Sequence, residues 1–438
     1  MLPKAIIFFF GLVSVLFIAG ACSDDADDTD GDNGPITRGP SIDIVIAADE
    51  PIIIGISAAL TGPIESFGTI GRDATIVGVE RWKAANGDQI AGHDIEIRAE
   101  DDGCFEADIT AQAAERLLRV KGLVGVIGPI CSDGAAAVIP AYAAAGIVSI
   151  SGSATANSLT DDQPEGHFFF RTAYRNDLEG TLIGLFLVAY ERVHIIDDGG
   201  TYSQDLGDSA QQIAEDGGVS VTRESIAVGT VDFSALAERI AQENPDFVGF
   251  TGFNPEAALL YRQLRDAGYA GVFGAGDGAA SVTGFVEPVG AAEAEGVLFA
   301  GCQFPLPQDF LDEFVTLHGY EPVMPFTAQY PDAATILLDA VAKVAEEQAD
   351  GSLVIDPIEL RDAVRASVLE DGLSGAIAFN EDGDRVPPGA VSLEEFVSTS
   401  LAALDNSGYI DLGLIPCQVQ DGVLVNLIGP NAGEIRLP

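Results

Sequence analysis

Lysine is nearly missing from this chain of 438 residues. Only Lys4, Lys83, Lys121 and Lys343 occur, and Lys and Arg together number 21 against 68 Asp and Glu. The formal charge of −47 leaves none of the basic patches that nucleic acid or an anionic membrane surface requires. Histidine is as sparse. His93, His167, His194 and His318 are scattered, and no cysteine pair has CxxC spacing, so no metal site is expected. Signatures of catalysis are absent too: there is no GxSxG elbow, no HExxH and no P-loop lysine. Gly274-Ala275-Gly276-Asp277-Gly278 is too short for a dinucleotide fingerprint, and Asn380–Arg385 lacks the ligand spacing of a calcium loop. The expectation is a protein that is not an enzyme and needs no cofactor.

One uncharged run stands at the N-terminus. It extends from Ala5 to Ala21 after Lys4 and ends in Ala19-Gly20-Ala21 before Cys22. It is short for a membrane span of about 20 residues. It is similar to a bacterial lipoprotein signal, with cleavage before a lipid-carrying Cys22 and a departure at Ala19, where leucine is commoner. Residues 23–48 then read as a tether, Asp-rich and Gly/Pro-punctuated at first, that does not fold. The acidic, Lys-poor composition suits a high-salt habitat or an ordinary extracellular one equally.

Four cysteines remain, an even number in an exported chain, and they allow three pairings. Cys104 with Cys131 is favoured, because each closes the C-terminal end of an expected strand in consecutive βα units. Cys302 with Cys417 follows by elimination.

Apolar residues make up 47% of the chain, and their spacing alternates between strand and helix. The stretch Val120–Thr160 is the most informative. Leu123–Ile127 and Ile147–Ile150 read as buried strands around a helix from Ser132 to Ala145. Strand, crossover and strand make a right-handed parallel unit, with both strands ending at one edge. Small hydroxyl residues gather at that edge: Ser132, Ser151, Ser153 and Thr155. Ser132 opens a helix, where unpaired N–H groups and the dipole favour an anion. Read from the residues alone, Ser132 is equally an N-cap and Ser151–Thr155 a turn.

Similar units occur on both sides. Strands are expected at 51–59, 95–99 and 168–171, and again at 193–196, 219–226, 247–252, 272–275 and 297–300. The first helix is expected at 72–86, after a loop 60–71 that carries Phe67. Strands alternating with helices twice over indicate an α/β fold of two doubly wound parallel-sheet lobes. Ligands of such sheets lie beyond the strand C-termini. The residues collected there are Phe67, Ser132, Ser153, Ala154, Thr155, Tyr202, Phe253 and Asp277. Hydroxyls and helix-start amides suit a carboxylate, Asp277 an ammonium, and the aromatics an apolar side chain.

The words IGISAALTGPIESFG, IRAEDDGC, VIGPICS, ISGSATANSLT, PDFVGFTGFNPE, VFGAGDG and AEGVLFAG carry a resemblance. In this order, from about Ile52 to Ala345, the chain resembles the branched-chain amino-acid-binding proteins of ABC transporters, which have the type I periplasmic binding fold. The resemblance implies two lobes joined by three crossovers, here 49–172 with 303–375 and 173–302 with 376–438, and a ligand closed between them. It also implies the Cys104–Cys131 disulfide. Ser132, Ser153, Ala154 and Thr155 would then hold the ligand carboxylate. Asp277, where the leucine-type binders have Glu, would hold the ammonium. Tyr202 matches a ligand-lining Tyr, while Phe67 and Phe253 stand where those binders have Tyr. The function implied is that of a monomeric, lipid-anchored extracytoplasmic protein that captures an aliphatic amino acid for an ABC permease. The alternative is the same fold sensing amino acids, amides or urea and reporting to a separate membrane receptor.

Overall fold

The computed structural model describes residues 42–161, 163–302, 305–388 and 416–427. The signal segment, Cys22 and most of the tether lie outside them. The first run of elements is β1 (Ile44–Ile46), β2 (Ile52–Ala58), α1 (Glu65–Asn86), β3 (Gln89–Ile90), β4 (His93–Asp101), α2 (Ala107–Leu118), β5 (Leu123–Ile127), α3 (Ser132–Ala144), β6 (Val148–Ser151), α4 (Ser158–Asp161) and β7 (Phe169–Arg171). Six of these strands form one sheet in the order β3-β4-β2-β5-β6-β7, parallel except for the β3 hairpin. β2 and β5 are buried along their whole length, which a parallel strand covered on both faces requires.

After β7 the chain passes to a second sheet. Its elements are α5 (Asn176–Leu187), β8 (Arg192–Asp197), α6 (Thr201–Asp216), β9 (Ser220–Ser225), α7 (Ser234–Glu243), β10 (Phe247–Phe250), α8 (Asn254–Asp266), β11 (Val272–Ala275), α9 (Glu287–Val289) and β12 (Leu298–Phe299). Successive residues of β8 face opposite cores. Val193 and Ile195 pack with Leu187 and Ala210 of α5 and α6, whereas Ile196 packs with Ile240 and Leu260 of α7 and α8. The chain then returns as α10 (Gln308–His318), α11 (Gln329–Val344), β13 (Glu346–Glu347), β14 (Leu353–Ile355), α12 (Pro357–Arg365), β15 (Ala378–Phe379) and β16 (Arg385–Val386). Two last strands, β17 (Cys417–Gln420) and β18 (Val423–Asn426), complete the second sheet as β18-β17-β12-β11-β10-β8-β9. The third crossover, after β16, falls outside the described residues.

Three boundaries differ from those expected. The tether ends before residue 48, because Ile44 and Ile46 are buried and β1 pairs antiparallel with β14. The alternation of Ile44-Val45-Ile46 is the strand signal, with Val45 turned outward. α1 begins at Glu65, not at residue 72, so Phe67 stands in its first turn. Ile64, Phe67, Ile70 and Ala74 continue the buried stripe of the helix backwards. Gly68 permits this, since a Cβ there would stand 1.8 Å from the Ala59 carbonyl oxygen. Finally, residues 376–388, expected with the second lobe, pack on the first. Gly383 accepts a hydrogen bond from Arg171 N at 3.0 Å, and Phe379 meets Phe170 at 5.3 Å between ring centroids.

Candidate ligand-binding cleft

β11 ends in Ala275, and the turn beyond it delivers Asp277 to the C-terminal edge of the second sheet. Asp277 is 3% exposed. Tyr202, in the first turn of α6, donates its hydroxyl to Oδ1 at 2.6 Å. Tyr174, in the segment between β7 and α5, donates to Oδ2 at 2.7 Å. The Asp277 backbone N–H donates to Glu179 Oε1 at 2.8 Å. Burial pushes the Asp277 carboxyl above its ordinary value, against the hydrogen bonds from Tyr202, Glu179 and Tyr174. Burial lifts Glu179 well above the usual carboxylate range, and the neighbouring Asp277 adds to the effect. Neither carboxyl has an ion-pair partner among the described residues. A buried acid of this kind is complementary to a cation.

The facing edge belongs to the first sheet. Ser132 is the first residue of α3 rather than its cap, and its Oγ accepts from Ala156 N at 3.1 Å. The helix start thereby holds the loop beyond β6. Ser151 Oγ accepts from Ala154 N at 2.9 Å, and Arg171 donates to the carbonyls of Ala154 and Ala156 at 3.2 and 2.7 Å. Ser153 Oγ donates to Ile130 O at 2.7 Å and meets the Tyr330 hydroxyl, so its hydroxyl is already engaged. Thr155 Oγ1 is buried without a hydrogen-bond partner among the described residues. Of the four hydroxyls expected at this edge, Thr155 alone makes no hydrogen bond among the described residues, while Ser132 Oγ accepts one and keeps its O–H to donate. The Cys104–Cys131 bridge, with Cα atoms 5.5 Å apart, ties the end of β4 to the start of α3. Cys302–Cys417, at 6.1 Å, joins the end of β12 to β17.

Aromatic rings fill the space between the edges. Phe253 lies edge-on to Phe67 at 6.4 Å and to Phe105 at 5.3 Å, and 5.2 Å from Tyr202. A cavity borders Asp277, walled by Phe67, Ile70, Asn254, Ser281 and Met324. It lies between α1 and the second sheet, holds only about 20 Å³, room for about one water molecule, and has Ser66 and Thr283 among its walls as well. Phe67, Phe253, Tyr202 and Asp277 are therefore assembled in one place, while Ser132, Ser153, Ala154 and Thr155 form their own cluster across the cleft. Tyr174, Glu179, Arg171 and Phe105 were not anticipated. Glu179 carried a signal: it is an acid inside a helix whose other residues are largely apolar. Tyr174 had none, because crossover segments have no periodicity.

Residues 51–393 match the family model described as periplasmic binding protein. The chain belongs to the periplasmic binding protein family. As a member of it, this chain is a solute-binding protein and not an enzyme. The periplasmic binding protein is 26% identical to the leucine-, isoleucine-, valine-, threonine- and alanine-binding protein of Pseudomonas aeruginosa, over 77% of this chain and 88% of that one. It superposes on a leucine binding protein of Thermotoga maritima with a TM-score of 0.69 at 24% identity, covering 86% and 97% of the two chains. A solute binding protein of an ABC transporter from Rhodopseudomonas palustris, in complex with 3,4-dihydroxybenzoic acid, gives 0.64 at 19% identity over 77% and 91%. These structures establish the type I fold of the periplasmic binding protein. No helix among its described residues is long and apolar enough to cross a membrane.

Proposed function

We propose that this protein captures an aliphatic α-amino acid between its lobes and delivers it to the membrane subunits of an ABC importer. Asp277 carries the reading: a buried acid with no protein cation beside it among the described residues, bordering a small cavity walled by Phe67, Ile70 and Met324 together with Ser66, Asn254, Ser281 and Thr283. An α-ammonium supplies the missing charge, and the apolar residues Phe67, Ile70 and Phe253 nearby suit an aliphatic side chain. Across the cleft, Thr155 Oγ1, the Ser132 hydroxyl and the first amides of α3 suit the α-carboxylate. The names of the relatives in Pseudomonas aeruginosa and Thermotoga maritima support an aliphatic ligand. Lipidation of Cys22 would hold the protein at the membrane as a monomer. Calorimetry against leucine, isoleucine, valine, alanine, threonine, urea, amides and benzoate tests the reading. Binding by at least one α-amino acid is expected. Binding only by compounds without an amino group overturns it.

A further inference from the structure

Asp277 does not stand alone. Glu179 lies against it, wholly buried, on the first turn of α5. The two carboxyls differ in their partners. Both oxygens of Asp277 accept phenolic hydroxyls, from Tyr202 and Tyr174. Those bonds stabilise a negative charge. Glu179 uses Oε1 to accept the Asp277 N–H and lies in side-chain hydrogen-bond contact with the Asp277 carboxyl, while its Oε2 is buried with no donor partner among the described residues. A bare buried carboxylate oxygen is expensive, and a protonated one much less so. The charge therefore sits on Asp277 and the proton on Glu179. The groups facing this pair are Glu179 from α5, Tyr174 from the segment before it, Tyr202 from α6 and Asp277 from the β11 edge. The two phenols are themselves held neutral by burial and by the acids.

We propose that Glu179 is the residue that makes this subsite select a cationic amine, by carrying a proton that it gives up when the ammonium arrives. The inference rests on the amino-acid reading above. The bound –NH3+ donates hydrogen bonds to Asp277 and to Glu179 Oε2. The Glu179 O–H bond breaks and its proton leaves to solvent, so the charge balances: one cation enters and one proton departs. A ligand with a neutral hydroxyl or a ring at that end cannot displace the proton and is refused. The Rhodopseudomonas palustris neighbour bound to 3,4-dihydroxybenzoic acid shows that this fold also accommodates such a ligand.

The test is infrared difference spectroscopy of the ligand-free protein at neutral pH, followed by titration with L-leucine. A protonated-carboxyl C=O band is expected. It should fade as leucine binds and be absent from Glu179→Gln, a variant of the same shape. Calorimetry of leucine binding in buffers of different ionisation enthalpy should register release of up to one proton, lost in the variant. No such band in the free wild-type protein overturns the proposal whatever leucine does. A band that persists in leucine-saturated protein overturns it as well, as does proton release that survives in Glu179→Gln. A band present in a protein that binds no amino acid shows that the amino-acid reading failed, and the proton exchange falls with it.

Discussion

Asp133 of the first lobe accepts two hydrogen bonds from Thr201 of the second, from the backbone N–H at 2.8 Å and the hydroxyl at 2.9 Å. Thr201 is the first residue of α6, so a carboxylate from one lobe neutralises the positive helix end of the other. Asn157 and Asp205 make a second bridge at 2.9 Å. These contacts exist only when the lobes are together. Asp133→Ala should therefore weaken leucine affinity by about 1–2 kcal/mol without removing a ligand contact. Solution scattering should show the variant more open at sub-saturating leucine. Unchanged affinity and shape would mean the bridge contributes nothing to closure.

The amine-binding role proposed for Asp277 makes a ranked prediction. Asp277→Ala should cost about 2–3 kcal/mol of amino-acid affinity, since it removes the charge. Tyr202→Phe should cost about 1 kcal/mol, because Tyr174 still holds the other oxygen of Asp277. Titration calorimetry of both variants checks the order. A larger loss from Tyr202→Phe would reverse the assigned roles.

How far this was legible in the sequence follows from what creates each feature. β2, β5 and β6 announce themselves as short apolar runs, since a parallel strand must be buried on both faces. Ser132 and Asp277 sit where strand ends meet helix starts, a position that topology dictates. Glu179 stood out as an acid in an apolar helix, but its partner was hidden, because a helix pattern records only which face is apolar. It does not say that an acid on that face meets another acid nearly a hundred residues away. The start of α1 was hidden by Gly68 and Gly71, which read as loop residues until Ala59 and Tyr330 are seen against them. The ordered strand Ile44–Ile46 was masked by the acidic stretch before it.

Arg171 links stability to the loop beyond β6. Its guanidinium is wholly buried, pairs with Asp384 at 2.7 Å and holds the carbonyls of Ala154 and Ala156. Arg171→Met leaves Asp384 with Arg175 alone and frees the loop. A loss of about 3–5 kcal/mol is expected, the usual result of breaking a buried pair. Denaturant unfolding measures it. Replacing both partners together, Arg171→Met with Asp384→Leu, should recover part of the loss, because no uncompensated charge then remains buried.

The same buried acids set the pH dependence of stability. Burial raises Asp384, but the Arg171 and Arg175 guanidiniums and their hydrogen bonds outweigh it and hold the carboxyl below its ordinary value. Its contribution is present above the unfolded carboxylate value of about 3.9 and is lost as pH falls through the depressed one. Asp102 behaves oppositely. Burial pushes it up to about 6, with Asp101 adding to the rise and the bonds from Ser57 and Cys104 N opposing it. Burial likewise takes Asp198 to about 6. For these two the stability is fully present below the unfolded value and is lost as pH rises through about 6. Melting temperature should therefore climb as pH is lowered through about 6 toward 4 and fall below about 4. Asp102→Asn keeps an acceptor for Cys104 N and a donor for Ser57, so the pair of contacts survives without a charge. It should raise the melting temperature by several degrees at pH 8, about half as much at pH 5, and change it little near pH 4. Equal effects at pH 8 and pH 4 would show that Asp102 is not the group that titrates.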